Sequence, residues 1–116
     1  MHPIPRALLI HTATLADAAA DAYRDPTLTI LAELTRIRVE TETALEAGRG
    51  GDTRTQTATL WYDLRQSRPR NTAFAVGQRV RFAGVWYRVE SITPQSDARG
   101  VHHLEIGLAG PDGPTP

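Results

Sequence analysis

Cysteine is absent from the 116 residues, which excludes disulfides, thiolate metal sites and cysteine nucleophiles. Lysine is absent too, so all thirteen basic side chains are arginine. A GC-rich genome explains that better than selection for guanidinium chemistry. Thirteen acidic residues balance them and the formal net charge is zero, so the chain has no overall attraction for nucleic acid or an anionic membrane. No apolar run approaches the roughly 20 residues that span a bilayer. Met1–Arg6 carries two prolines and one arginine, and the apolar stretch after it is too short and interrupted for a signal peptide. The protein is expected to stay where it is made, unless it leaves as part of an assembly. Its length suits one domain, 1–116, with a real core.

What is present is centred on Phe74–Pro94, FAVGQRVRFAGVWYRVESITP. Val80 and Phe82 alternate with Arg79 and Arg81; Val85, Tyr87 and Val89 alternate with Trp86 and Arg88. A period of two with β-branched and aromatic residues marks half-buried strands. A two-residue turn at Ala83-Gly84 would pair Phe82 with Val85 and Val80 with Tyr87 on a core face. It would also set Arg81 beside Trp86 for a cation–π contact. Arg79 would face Arg88, so an acidic neighbour such as Glu90 or Glu105 is expected. Ala83 fits a primed turn poorly, since both central residues need positive φ, and a longer loop is the alternative.

Before this hairpin, 1–6 reads as an extended arm and Ala7–Leu15 as a first strand. The Ala-rich Ala16–Asp25 reads as a connection, with a short helix as the alternative. Thr27–Thr43 reads as a long strand in which Leu28, Ile30, Ala32 and Leu34 alternate. There the phase slips to Ile37 and Val39, as a β-bulge would make it. Residues 44–55, with Gly48, Arg49, Gly50, Gly51 and Arg54, read as a long flexible loop and match no phosphate-binding motif. Gln56–Arg65 is the next strand, with Ala58, Leu60, Tyr62 and Leu64 on one face. After the hairpin come a polar loop at Gln95–Gly100 and a last strand at Val101–Ala109, with Leu104, Ile106 and Leu108 on one face. A flexible Gly/Pro tail at 110–116 ends the chain. About six short strands with turn signals between them predict an all-β fold, a small antiparallel β-barrel.

Catalytic chemistry finds little support. His102 and His103 point to opposite faces of a strand. His103 with Glu105 offers two ligands where a structural zinc site wants four. Asp63 and Glu105 could pair as carboxylates, although a surface ion pair of Asp63 with Arg65 or Arg68 is the simpler reading. Ser67, His11 and Asp63 make a triad only on paper, without a nucleophile elbow. No catalytic residue, metal site or cofactor is assigned, and the chain is read as a non-enzyme. Arg79, Arg81, Trp86 and Arg88 form an Arg–aromatic strip. It reads as an outward sheet face, as a single-strand nucleic-acid platform of the OB type, or as a protein interface.

The pieces IPRALLIHTATL, RIRVE, LWYDLRQSRP, FAVGQRVRFAGVWYRVESITP and HHLEIGLA follow one another between Ile4 and Ala109. In that order the chain resembles the minor capsid protein family of tailed bacteriophages, the small head–tail connector, head-completion or stopper proteins. The most specific pieces are Leu60-x-Tyr62-Asp63 with Ser67-x-Pro69, and His102–Leu108. Ala83 departs from the family's turn-forming residue, and Ala16–Asp25 is unusually Ala-rich. The resemblance implies a homo-oligomeric ring of six or twelve subunits in the phage neck. A portal or adaptor protein would lie on its head side, a tail terminator or tail-completion protein on its tail side, and packaged double-stranded DNA in its channel. It implies location at the virion's head–tail interface after assembly in the host bacterial cytoplasm, with no membrane. On this reading residues 44–55 reach toward the channel or a neighbouring subunit, where Arg49 and Arg54 are suited to touch phosphates.

Overall fold

The structure is a computed structural model that describes residues 6–21, 24–48 and 51–110. A 3₁₀ turn at Arg6–Leu8 leads into six strands: β1 His11–Asp21, β2 Arg24–Gly48, β3 Gly51–Asp63, β4 Arg79–Phe82, β5 Val85–Asp97 and β6 Gly100–Gly110. All neighbours are antiparallel, and the order β1-β2-β3-β6-β5-β4 closes on itself through β4 and β1 as a barrel. No α-helix occurs among the described residues.

The alternating positions of every strand meet inside. Ala13 and Leu15, Leu34, Ile37 and Val39, Ala58, Leu60 and Tyr62, Val80, Tyr87 and Val89, and Ile106 and Leu108 form one core. The inward faces expected for β3, β4, β5 and β6 are the observed ones except at Leu64, which was expected inward on β3 but lies past its end at Asp63 and is exposed where the chain turns. The slip in β2 is a bulge: His11 pairs with Ile37 but Ala13 with Leu34, and Arg36 takes φ +53°. The extra residue lets Leu34 and Ile37 both face the core. A second bulge lies at Leu31, because Leu15 pairs with Ala32 and Ala16 with Ile30. It breaks the run expected from Leu28 to Leu34, and Ile30 is turned out to 56% exposure. Such bulges add twist and bend, which is how a short sheet closes.

Several expected boundaries change. Ala16–Asp21 is strand rather than connection or helix, paired with residues 24–30 of β2. Residues 44–48 and 51–55 are not a loop: they continue the β2–β3 ladder to Gly48↔Gly51. Only Arg49 and Gly50 between them fall outside the described residues. Most of the extended arm at 1–6 and of the tail at 110–116 also lies outside; Arg6 opens the 3₁₀ turn and Gly110 ends β6. The polar stretch 95–100 is mostly ladder, turning only at 98–99. In each case hydrogen bonding to an existing neighbour outweighs weak local strand propensity.

The central hairpin has the expected register, with Arg79↔Arg88, Val80↔Tyr87, Arg81↔Trp86 and Phe82↔Val85. Its turn has two residues, with Ala83 at φ +52° and Gly84 at φ +80°. The cross-strand pairs hold alanine in the left-handed region that a type I′ turn demands. Ala83→Asn, which tolerates that region, is expected to add about 1 kcal/mol and raise the melting temperature by roughly 4–8 °C. Thermal denaturation followed by circular dichroism checks this.

Candidate interaction surfaces

The sequence singled out the Arg–aromatic strip and the Gly-rich segment, and the structure treats them differently. Arg79 is only 8% exposed, and its Nη1 donates to the Gly77 carbonyl. The loop before β4 folds over it, held by Gln78, whose Oε1 accepts from the Ala75 amide at 2.8 Å. Arg81 is exposed opposite a half-buried Trp86. Arg88 is exposed with its Nε 3.8 Å from Glu90 Oε1, the acidic neighbour expected. The strip is therefore not one open face.

Gly48 and Gly51 close the β2–β3 ladder, and Arg54 lies opposite Leu45. Ile37 is the last β2 residue paired with β1, and β3 pairs with β6 only from Gln56 onward. Among the described residues the segment beyond is thus a two-stranded ribbon standing off the barrel. From Ala44↔Thr55 to Gly48↔Gly51 it extends about 13 Å at 3.3 Å per residue, while Glu40–Thr43 lie opposite the part of β3 that β6 also pairs.

At the opposite end of β3, Asp63 is not in a surface ion pair. It is 2% exposed, and its Oδ1 accepts from the amides of Arg65 and Gln66, both at 2.9 Å. Ser67 is fully buried; its Oγ accepts from the Asp63 amide at 2.8 Å and donates to the Arg36 carbonyl at 2.6 Å. The loop is stitched further by Thr35 and Arg68, whose amides and carbonyls bond reciprocally at 2.8 and 3.0 Å. His11 takes no part, since its Nδ1 accepts from the Val39 amide at 2.9 Å. The Ser67–Asp63 pair is thus a loop clamp joined through backbone groups. Its signal in the sequence is an Asp whose side chain can bond its own backbone two and three residues on.

This clamp presents Arg65 and Arg70 as exposed side chains. Arg65 shares a cleft with Arg99, Val101 and His102 from the β5–β6 turn and the start of β6. The sequence reading passed over this arginine-rich end, because its members come from distant loops.

His103 is the more buried of the two histidines, at 5% exposure, across from Asp63. Its Nδ1 has no hydrogen-bond partner among the described residues. Burial lowers its pKa, against the smaller opposing pull of Glu105 and Asp63, with His102 adding to the lowering. The fold thus favours the neutral ring. Its contribution is complete above the unfolded value of about 6.5 and declines as pH falls through that value toward the folded pKa. His103→Gln is expected to flatten the fall in melting temperature between about pH 7.5 and 5, which thermal scans across that range would show. No group of three or more metal-ligating side chains exists among the described residues.

No protein-family model matches the chain. No curated protein matches it. Among solved structures, a chain in the virion of a native gene transfer agent (GTA) particle has a similar fold. The TM-score is 0.55 at 19% identity, covering 84% of this chain and 90% of that one. At that identity the likeness is one of fold.

Proposed function

We propose that this chain is a structural protein of a phage-like virion, acting in the neck. There it forms a ring between a portal or adaptor and the tail, closes the DNA exit channel and offers the tail a docking surface. The observation that carries the reading is the barrel shared, over most of both chains, with a component of a gene transfer agent virion. The order of sequence pieces that resembles head–tail connectors agrees with it. So does the ribbon at residues 44–48 and 51–55, since a two-stranded ribbon is marginal alone and invites a neighbour along its open edges. The burial of Arg79 and the pairing of Arg88 with Glu90 weaken the nucleic-acid alternative for the hairpin face.

The test is disruption of the gene in the particle-producing source, with electron microscopy of the lysate. Heads separated from complete tails, with DNA leaking from the heads, are expected. Normal joined particles would overturn the neck reading.

A further inference from the structure

The chain is neutral overall, but one loop carries charge of a single sign. Between Leu64 and Thr72 the sequence holds Arg65, Arg68 and Arg70 and no acid. The carboxylate just before them, Asp63, is buried and directed at backbone amides. Arg99 enters the same cleft as Arg65. Beside these arginines two large apolar side chains stand in water: Leu64 is 38% and Val101 45% exposed. Their backbones are brought together where the Leu64 amide donates to the His102 carbonyl at 3.1 Å. At the base of the ribbon, Glu40 and Glu42 line a shallow groove of about 270 Å³ with Thr41, Thr57 and Thr59, on a stretch of β2 whose outer edge is unpaired among the described residues. Glu40 is engaged by Arg38 at 2.7 Å, and Glu42 is exposed.

We infer that the Leu64–Arg65–Val101 patch of one copy docks on the open β2 edge at Glu40–Glu42 of a second copy. The inference deepens the ring reading and rests on it. Apolar side chains flanked by arginines are what protein interfaces use as anchors, whereas a phosphate-tracking face gains nothing from Leu64 and Val101. The second copy supplies exposed carboxylates to Arg65 from a strand edge. The patch in turn covers the β2 edge that β1 leaves unpaired beyond Ile37 among the described residues. Because the two surfaces differ, the contact is head-to-tail, the kind that closes into a ring when the rotation between copies permits.

The experiment uses the full-length protein, followed by sedimentation velocity at low salt over a range of concentrations. The wild-type chain is expected to self-associate. Arg65→Glu and Glu42→Arg, each at an exposed side chain, are each expected to weaken association at least about tenfold, near 1.4 kcal/mol. The double variant is expected to restore it. Val101→Asp is a second probe of the patch, with the same expected loss. Because the chain has no cysteine, Arg65→Cys with Glu42→Cys gives an independent readout. Glu42 pairs with Thr57, six residues and about 20 Å along β3 from Asp63, too far for an intramolecular bridge. Oxidation should therefore yield covalent multimers from the double variant and at most dimers from the single ones.

Wild-type assembly left unchanged by both charge reversals would overturn the inference while leaving the ring reading intact. So would a wild-type chain that stays monomeric, since particle imaging decides the ring reading separately. Loss of assembly without rescue, together with salt-sensitive binding to double-stranded DNA that depends on Arg65, would make phosphate the partner and also overturn it.

Discussion

Tyr62→Ala is expected to cost about 3–5 kcal/mol, the range for removing a buried aromatic ring. Marginal domains hold about 5–15 kcal/mol in all, so much of the reserve would go. Tyr62 is 1% exposed near the end of β3, and its ring meets Phe74 edge-on at 5.3 Å. Its hydroxyl donates to the Pro69 carbonyl and accepts weakly from the Thr72 amide at 3.4 Å. One side chain thus joins the barrel core to the loop between β3 and β4. Tyr62→Phe separates the two roles: the ring stays, and the Pro69 carbonyl still accepts from Thr72 Oγ1 at 2.7 Å. Its cost is expected near 1 kcal/mol, the net value of one hydrogen bond. Urea denaturation of both variants gives the comparison. A Tyr62→Ala unfolding free energy within about 1 kcal/mol of wild type would mean that the ring does not anchor the core.

The parts of this fold that were legible in sequence are those where alternation is strict and both partners lie close in the chain. Val80–Val89 is the clearest case: register, inward face and acidic neighbour all follow from a period of two around Gly84. The bulge between Leu34 and Ile37 was legible for the same reason, as a break in that period. The bulge at Leu31 was not, because Leu28, Ile30 and Ala32 look continuous whichever side they face. The β2–β3 ribbon was misread as a loop on its glycines, although a different signal was present. Threonine recurs at every second position at 41 and 43 and from 53 to 59, a strand-forming pattern that outweighs glycines placed next to a turn.

The candidate surfaces were less legible, because side-chain burial depends on which distant segment lies above. Arg79 alternates with Val80 as an outward residue should, yet the turn at Val76–Gly77 covers it. Asp63 sits among arginines in the sequence, which suggested an ion pair, but its nearest polar partners are backbone amides of its own loop. Arg65 and Arg99 are 34 positions apart and meet only because β3 and β6 are neighbours. No local pattern carries that information.

Ser67→Ala tests the clamp that holds this end together, and its expected cost is about 2–4 kcal/mol. The hydroxyl is fully buried between the Asp63 amide and the Arg36 carbonyl. Alanine leaves both without a partner, and each orphaned buried group costs about 1–3 kcal/mol. Arg36 is held at φ +53°, a conformation that surrounding contacts must enforce, so losing its carbonyl's partner should also loosen the bulge. Asp63→Asn is the contrasting variant, because an amide oxygen can still accept from the Arg65 and Gln66 amides. It should stay within about 1 kcal/mol of wild type if geometry rather than charge is what the site requires. Hydrogen exchange supplies the local readout: Ser67→Ala should speed exchange at the Asp63, Thr35 and Arg68 amides ahead of those in β6. If those amides stay as protected as in wild type, the clamp does not hold the loop. Because this loop presents Arg65, Ser67→Ala is expected to weaken self-association and stability together. Arg65→Glu, acting at an exposed side chain, should weaken association alone.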